Sequence, residues 1–219
     1  MRFHRLLISC ALSAFLCAAS AQAEVVLGNL GNQGTDLIGT SGYTTGVSIA
    51  IPFRTGSSAA NLTDVVIGLK GLFGTSGSQQ VAATLYPDNG GVPANLPLGW
   101  TASLAVSDSP PSAYTFSATP FQLAALTDYW MIVSPDIAME WIAAEPPALP
   151  TARNGSDWSY PAGGALVEDE GSWNSVPQQN AFSVSATAVP EPGTLALTAF
   201  AGVAGLASLR LRRHRTQQA

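Results

Sequence analysis

Residues 81–91 read VAATLYPDNGG. A short strand-forming run, Val81 to Tyr86, ends on a turn whose chemistry is explicit. Pro87 presets its own φ, and Asn89, Gly90 and Gly91 tolerate the positive φ that a tight reversal needs. Strand followed by sharp reversal is the grammar of an antiparallel sheet, and the flanking sequence repeats it. Thr44 to Phe53 (TTGVSIAIPF) alternates over Val47, Ile49 and Ile51, with Pro52 marking a sheet edge or a strand end. Leu62 to Leu69 (LTDVVIGL) is another β-branched run. Leu98 to Val106, Ala113 to Ala118, Tyr129 to Ser134, Ile137 to Ala143 and Ala181 to Thr187 supply further short strands. Only Phe121 to Leu126 reads as a short helical turn, and residues 146–171, rich in Pro, Gly and acid, read as a long loop region with only short strands. Strands separated by Gly, Pro, Asn and Ser clusters predict an all-β domain, an antiparallel β-sandwich of jelly-roll type.

The two ends of the chain have a different chemistry. Arg2 and Arg5 precede a 14-residue uncharged run, Leu6 to Ala19, and Ala21-Gln22-Ala23 places small residues where a signal peptidase reads. That pattern predicts a secretory signal peptide over residues 1–23, cut before Glu24. At the other end, 18 uncharged residues separate Glu191 from Arg210. Thr194 to Leu209 would make a helix of ~24 Å at 1.5 Å per residue, against a bilayer core of about 30 Å. Such a helix spans with local thinning. Arg210, Arg212, Arg213 and Arg215 follow at once, and basic flanks stay cytoplasmic. The expected topology puts residues 24–188 outside and the tail tip inside.

Discounting these ends limits the chemistry of the remainder. Cys10, Cys17, His4 and His214 all lie in them, so residues 24–188 hold no thiol and no imidazole. Ser-His-Asp and Cys-His nucleophilic catalysis, and zinc sites built on His or Cys, are thereby excluded. Three basic residues, Arg54, Lys70 and Arg153, face thirteen acidic ones, a net charge of −10 that argues against nucleic acid as a partner. These 165 residues are enough for one domain with its own core and no disulfide. No motif calls for a cofactor.

Candidate sites are sparse. Asp88 could contribute to a Ca²⁺ site, or serve the turn alone. Glu168, Asp169 and Glu170 form the densest acidic run, a second calcium candidate, yet lack the Asp-x-Asp-x-Asp-Gly spacing of an EF-hand loop and read equally as a solvated loop. A glycosidase would need two carboxylates about 5–10 Å apart, which sequence does not reveal. Trp130 and Trp141 lie in apolar strand patterns and are expected in the core. Trp158, Tyr160 and Trp173 lie among Ser, Asp, Asn and Gly, where aromatic faces beside polar groups suit sugar rings or cap one end of the sandwich. Asn61-Leu62-Thr63 and Asn154-Gly155-Ser156 match the eukaryotic N-glycosylation pattern, read here as coincidence.

The tail, Val189-Pro190-Glu191-Pro192-Gly193, then Leu195 to Leu209, then Arg210 to Arg215, resembles the PEP-CTERM sorting signal. The resemblance implies export across the inner membrane of a Gram-negative cell, transient anchoring, and recognition by exosortase at Val189, Pro190, Glu191 and Pro192. It further implies delivery to the cell surface or extracellular matrix, where exopolysaccharide is the expected companion. YPDNGGVP (Tyr86–Pro93), DYWMIVS (Asp128–Ser134), GSW (Gly171–Trp173) and the closing AFSVSATAVPEP together resemble a choice-of-anchor R type domain. That family brings no enzymatic role. The expected organisation is signal peptide 1–23, β-sandwich 24–188, sorting signal 189–215 and a residual tail 216–219. The expected function is non-enzymatic, with a carbohydrate-binding module as the alternative and a hydrolase behind it.

Overall fold

A computed structural model of the chain describes residues 22–30, 40–43, 47–71, 79–106, 112–136, 139–142, 149–176 and 181–189. Residues 1–21 of the expected signal peptide, Pro190 to Pro192, the apolar span and its arginines lie outside the described residues. No helix among the described residues is long and apolar enough to cross a membrane. Residues Ala23–Ala188 cluster as one unit.

Its strands follow in chain order: β1 (Glu24–Gly28), β2 (Thr40–Tyr43), β3 (Ile49–Arg54), β4 (Ala60–Gly71), β5 (Gln79–Pro87), β6 (Thr101–Val106) and β7 (Ser112–Leu123). They continue with β8 (Asp128–Pro135), β9 (Met139–Ile142), β10 (Thr151–Ala152), β11 (Leu166–Asp169), β12 (Ser172–Ser175) and β13 (Phe182–Ala188). Two antiparallel sheets result, the first ordered β10-β1-β13-β4-β9-β2 with β7 also on β4, the second β12-β11-β3-β8-β5-β6. The described residues contain no helix.

One hydrophobic cluster joins the inner faces. Leu27, Leu62, Val65, Ile67, Phe116 and Phe182 of the first sheet meet Ile51, Phe53, Val81, Leu85 and Met131 of the second, each no more than 1% exposed. Full burial of such side chains is worth about 1.5–3 kcal/mol each, so this core stands in for the missing disulfides.

Strand β4 shows how local irregularity serves the core. Its fully buried side chains fall at Leu62, Val65, Ile67 and Leu69, a step of three followed by steps of two. A β-bulge between Leu62 and Asp64, in the pairing with β7, absorbs the extra residue and returns Val65 to the inner face. Without it, every apolar residue beyond Thr63 would face the wrong way.

Pro52 occupies neither an edge strand nor a strand end. It lies inside β3, paired with Trp130 of β8. Its missing N–H falls on the opposite side of the strand. There β11 pairs only with Ile49 and Ala50, and the next contact is the bridge in which Arg54 and Ser159 exchange backbone hydrogen bonds of 2.9 and 3.0 Å. The proline sits in that gap and removes no ladder bond.

One further expectation is corrected. Phe121 to Leu123 continue β7 instead of forming a helical turn, because β4 offers pairing partners for them from Leu62 to Ala60. The helical suggestion came from the turn that follows, where Leu126 takes φ 50°. The described part of the loop-rich region, residues 149–171, holds only short strands, as expected. β10 pairs with β1, and β11 pairs with β3 and β12.

Candidate functional site

The residues singled out by sequence do not gather in one place. Of the two readings open for Trp158, a sugar-facing ring or a cap on the sandwich, its burial favours the cap. The Arg54–Ser159 bridge pins the segment to the edge of β3, and strand-like alternation then turns Trp158 inward. Its ring is 6% exposed and stacks on Phe53 at 5.7 Å and 8°. Asp157, one residue earlier, accepts the Ser57 backbone N–H at 2.7 Å. Hydrogen bonding from the Ser57 side chain first, and from its backbone second, holds the Asp157 carboxyl below its ordinary 3.8. A Cβ on Gly56 would stand 1.7 Å from Asp157 Oδ1, so this approach requires glycine.

Tyr160 faces the same interior as Trp158, tilted against Phe182 at 6.3 Å, and burial pushes its phenol up to about 12. Trp173 is elsewhere. It is half-buried against a second, smaller cluster of Ala50, Trp130, Ile132 and Leu166. These four alternate with the inward-facing residues of β3, β8 and β11, so they lie on the outer face of the second sheet. A platform of Trp158, Tyr160 and Trp173 therefore does not form. The signal that would have separated them is the spacing of Trp158 and Tyr160, two apart on either side of Ser159.

Asp88 serves the turn. Gly90 (φ 72°) and Gly91 (φ 90°) make a two-residue reversal closed by Asn89 N–H to Val92 O at 2.8 Å. The Asp88 carboxylate accepts the N–H groups of Gly90 and Gly91 at 3.1 Å each. It also accepts the indole N–H of Trp130 at 2.7 Å. The carboxylate that might have met a cation thus fastens the turn to the outer cluster.

The acidic run makes a hairpin. Glu168 pairs with Trp173 and Asp169 with Ser172, while Glu170 (φ 49°) and Gly171 (φ 79°) form the reversal. Alternation sends Glu168 and Asp169 to opposite faces. Among the described residues, no three His, Cys, Asp or Glu side chains stand together as a metal-binding group. Asn154 (φ 52°) and Gly155 (φ 72°) build a third such turn, and Asn154 Nδ2 donates to Val25 O at 2.9 Å.

What stands out on the second sheet is an aromatic and hydroxyl-bearing outer face, with the carboxylate of Asp88 engaged. The fold is that of a two-sheet antiparallel β-sandwich. No family model matches the chain, and no curated protein matches it. Among solved structures it is similar to the clostridial cysteine protease Cwp84 after propeptide cleavage, at 11% identity and a TM-score of 0.50, over 76% of this chain and 40% of that one. A second structure, the cysteine protease and lectin-like domains of Cwp84, a surface layer associated protein of Clostridium difficile, aligns at 10% identity and a TM-score of 0.44, over 65% of this chain and 32% of that one. The chain spans well under half the length of either. At 11% identity the first likeness is one of fold alone.

Proposed function

We propose that the chain is an exported, non-enzymatic protein of the cell envelope. In this reading its N-terminal segment is cut by signal peptidase, and its C-terminal segment is sorted by exosortase at Val189 to Pro192. The observation that carries the reading is the order of the tail: Pro190-Glu191-Pro192, 18 uncharged residues from Pro192 to Leu209, then four arginines within six positions. Prolines at 190 and 192 hold Glu191 on a stiff, non-helical segment ahead of the apolar span. The domain boundaries agree with that division, because β1 begins at Glu24 and β13 ends at Ala188, one residue before the motif. Exopolysaccharide of the envelope or matrix is its proposed companion.

Changing Pro190, Glu191 and Pro192 together to Ala is expected to leave full-length protein in the inner membrane, read by fractionation and immunoblot. Normal processing and release of the triple variant would end the sorting reading.

A further inference from the structure

A sheet face that meets only water carries polar side chains in alternation. The outer face of the second sheet breaks that rule, since Ala50, Trp130, Ile132 and Leu166 there are each no more than 7% exposed, with Tyr86, Val92 and Trp173 packed against them. This cluster is separate from the inter-sheet core. It stiffens a face whose next row, read through the strand registers, carries chemistry. Trp173 on β12 stands opposite Glu168 on β11, whose N–H donates to Ser48 O at 2.9 Å. Ser48 in turn holds its hydroxyl 2.9 Å from that of Ser134 at the end of β8. An indole, a carboxylate and two hydroxyls thus form a line across four neighbouring strands, about 15 Å at the usual inter-strand spacing.

Charge selects what such a line can hold. The cation on this face, Arg54, is taken by Asp128 at 2.9 Å. With Glu168 in the row and a net charge of −10 over residues 24–188, an anionic polymer would be repelled. A neutral polysaccharide fits, because each sugar offers an apolar C–H face to an indole and a rim of hydroxyls to carboxylate and serine oxygens.

We infer that the outer face of the second sheet binds a neutral polysaccharide chain along the row Trp173, Glu168, Ser48 and Ser134. Trp173 stacks on one sugar ring, Glu168 accepts from its hydroxyls, and the two serines hydrogen-bond the next. The inference rests on the envelope reading only for where the polymer would be met. Binding is measured on purified protein and is independent of sorting.

The test is affinity electrophoresis of the full chain, in a polyoxyethylene detergent, through gels containing galactomannan, mixed-linkage β-glucan or alginate. At least one neutral polymer should retard the protein, and alginate should not. Trp173→Ala should weaken retardation about tenfold or more, as expected for a central aromatic anchor. The double variant Ser48→Ala/Ser134→Ala removes both partners of one hydrogen bond, which leaves stability nearly unchanged, and should weaken retardation severalfold. It tests the row even if Trp173→Ala fails to fold. Absence of retardation by both neutral polymers, retardation by alginate alone, or equal retardation of wild type and the serine variant would overturn the inference. Salt-sensitive binding of poly-lysine without any neutral-polymer binding would do the same, marking the face as a site for basic partners.

Discussion

Trp158 shows how a residue's neighbours can leave its place undecided. Set among Asn, Gly, Ser and Asp, it carries the local composition of a loop, yet its ring lies parallel to Phe53 inside the core. Composition reports the solvent exposure of a segment on average, whereas one inward residue in a pinned segment depends on a long-range bridge to β3. Trp158→Ala is therefore expected to cost about 3–5 kcal/mol of unfolding free energy, measured by urea denaturation. A surface aromatic would cost within about 0.5 kcal/mol, and that result would return Trp158 to the surface. Asp157 next to it makes a pH prediction. Its folded carboxyl is held below the ordinary range by Ser57, so its contribution is present above the unfolded carboxylate range and is lost as pH falls through the folded value. Asp157→Asn should lower stability at neutral pH and flatten the acid limb of a stability-versus-pH curve, the two proteins converging once pH has fallen through the folded value. An identical acid limb in the variant would contradict the assignment.

At the scale of elements, most of the sheet framework was legible because it is written in local rules. Alternation located β3 and β13, apolar and β-branched runs located β4, β5 and β8, and the turn chemistry of Pro87 to Gly91 was read correctly as a reversal with positive φ at Gly90 and Gly91. What stayed hidden depends on partners. Thr151–Ala152 of β10 is a strand only because β1 lies beside it, and Glu168 and Asp169 look like solvated loop until β3 and Trp173's strand pair with them. The same is true of Pro52, whose tolerance in an interior strand depends on where β11 stops. The hairpin of β11 and β12 carries a correctable flaw, since Glu170 adopts φ 49° without being glycine. Asn tolerates that region better and favours this two-residue turn beside Gly171. Glu170→Asn should stabilise the domain by about 0.5–1 kcal/mol, and Gly171→Ala should destabilise it by about 1 kcal/mol or more. Denaturation midpoints at constant m-value check both, and opposite signs would show that this reversal does not limit the hairpin.

For the whole domain, the dominant physical fact is imbalance of charge. Residues 24–188 carry thirteen acids against three bases, and the described ion pair, Arg54 with Asp128, joins two partly exposed groups worth little by itself. The remaining carboxylates repel one another in the folded state more than in the expanded chain, which opposes compaction. Screening relieves this over a Debye length of about 8 Å at physiological ionic strength. The melting temperature is therefore expected to rise by a few degrees as NaCl increases from low concentration to about 0.5 M, where the Debye length has fallen to a few ångströms. Asp169→Lys with Glu170→Lys would bring the net charge to −6, and should flatten that salt dependence while raising the melting temperature at low salt. Calorimetry of both proteins across the salt series decides the matter. A melting temperature that ignores NaCl, or an equally steep rise in the double variant, would mean that the acidic surface has been neutralised by contacts of its own and that repulsion does not govern the stability of this domain.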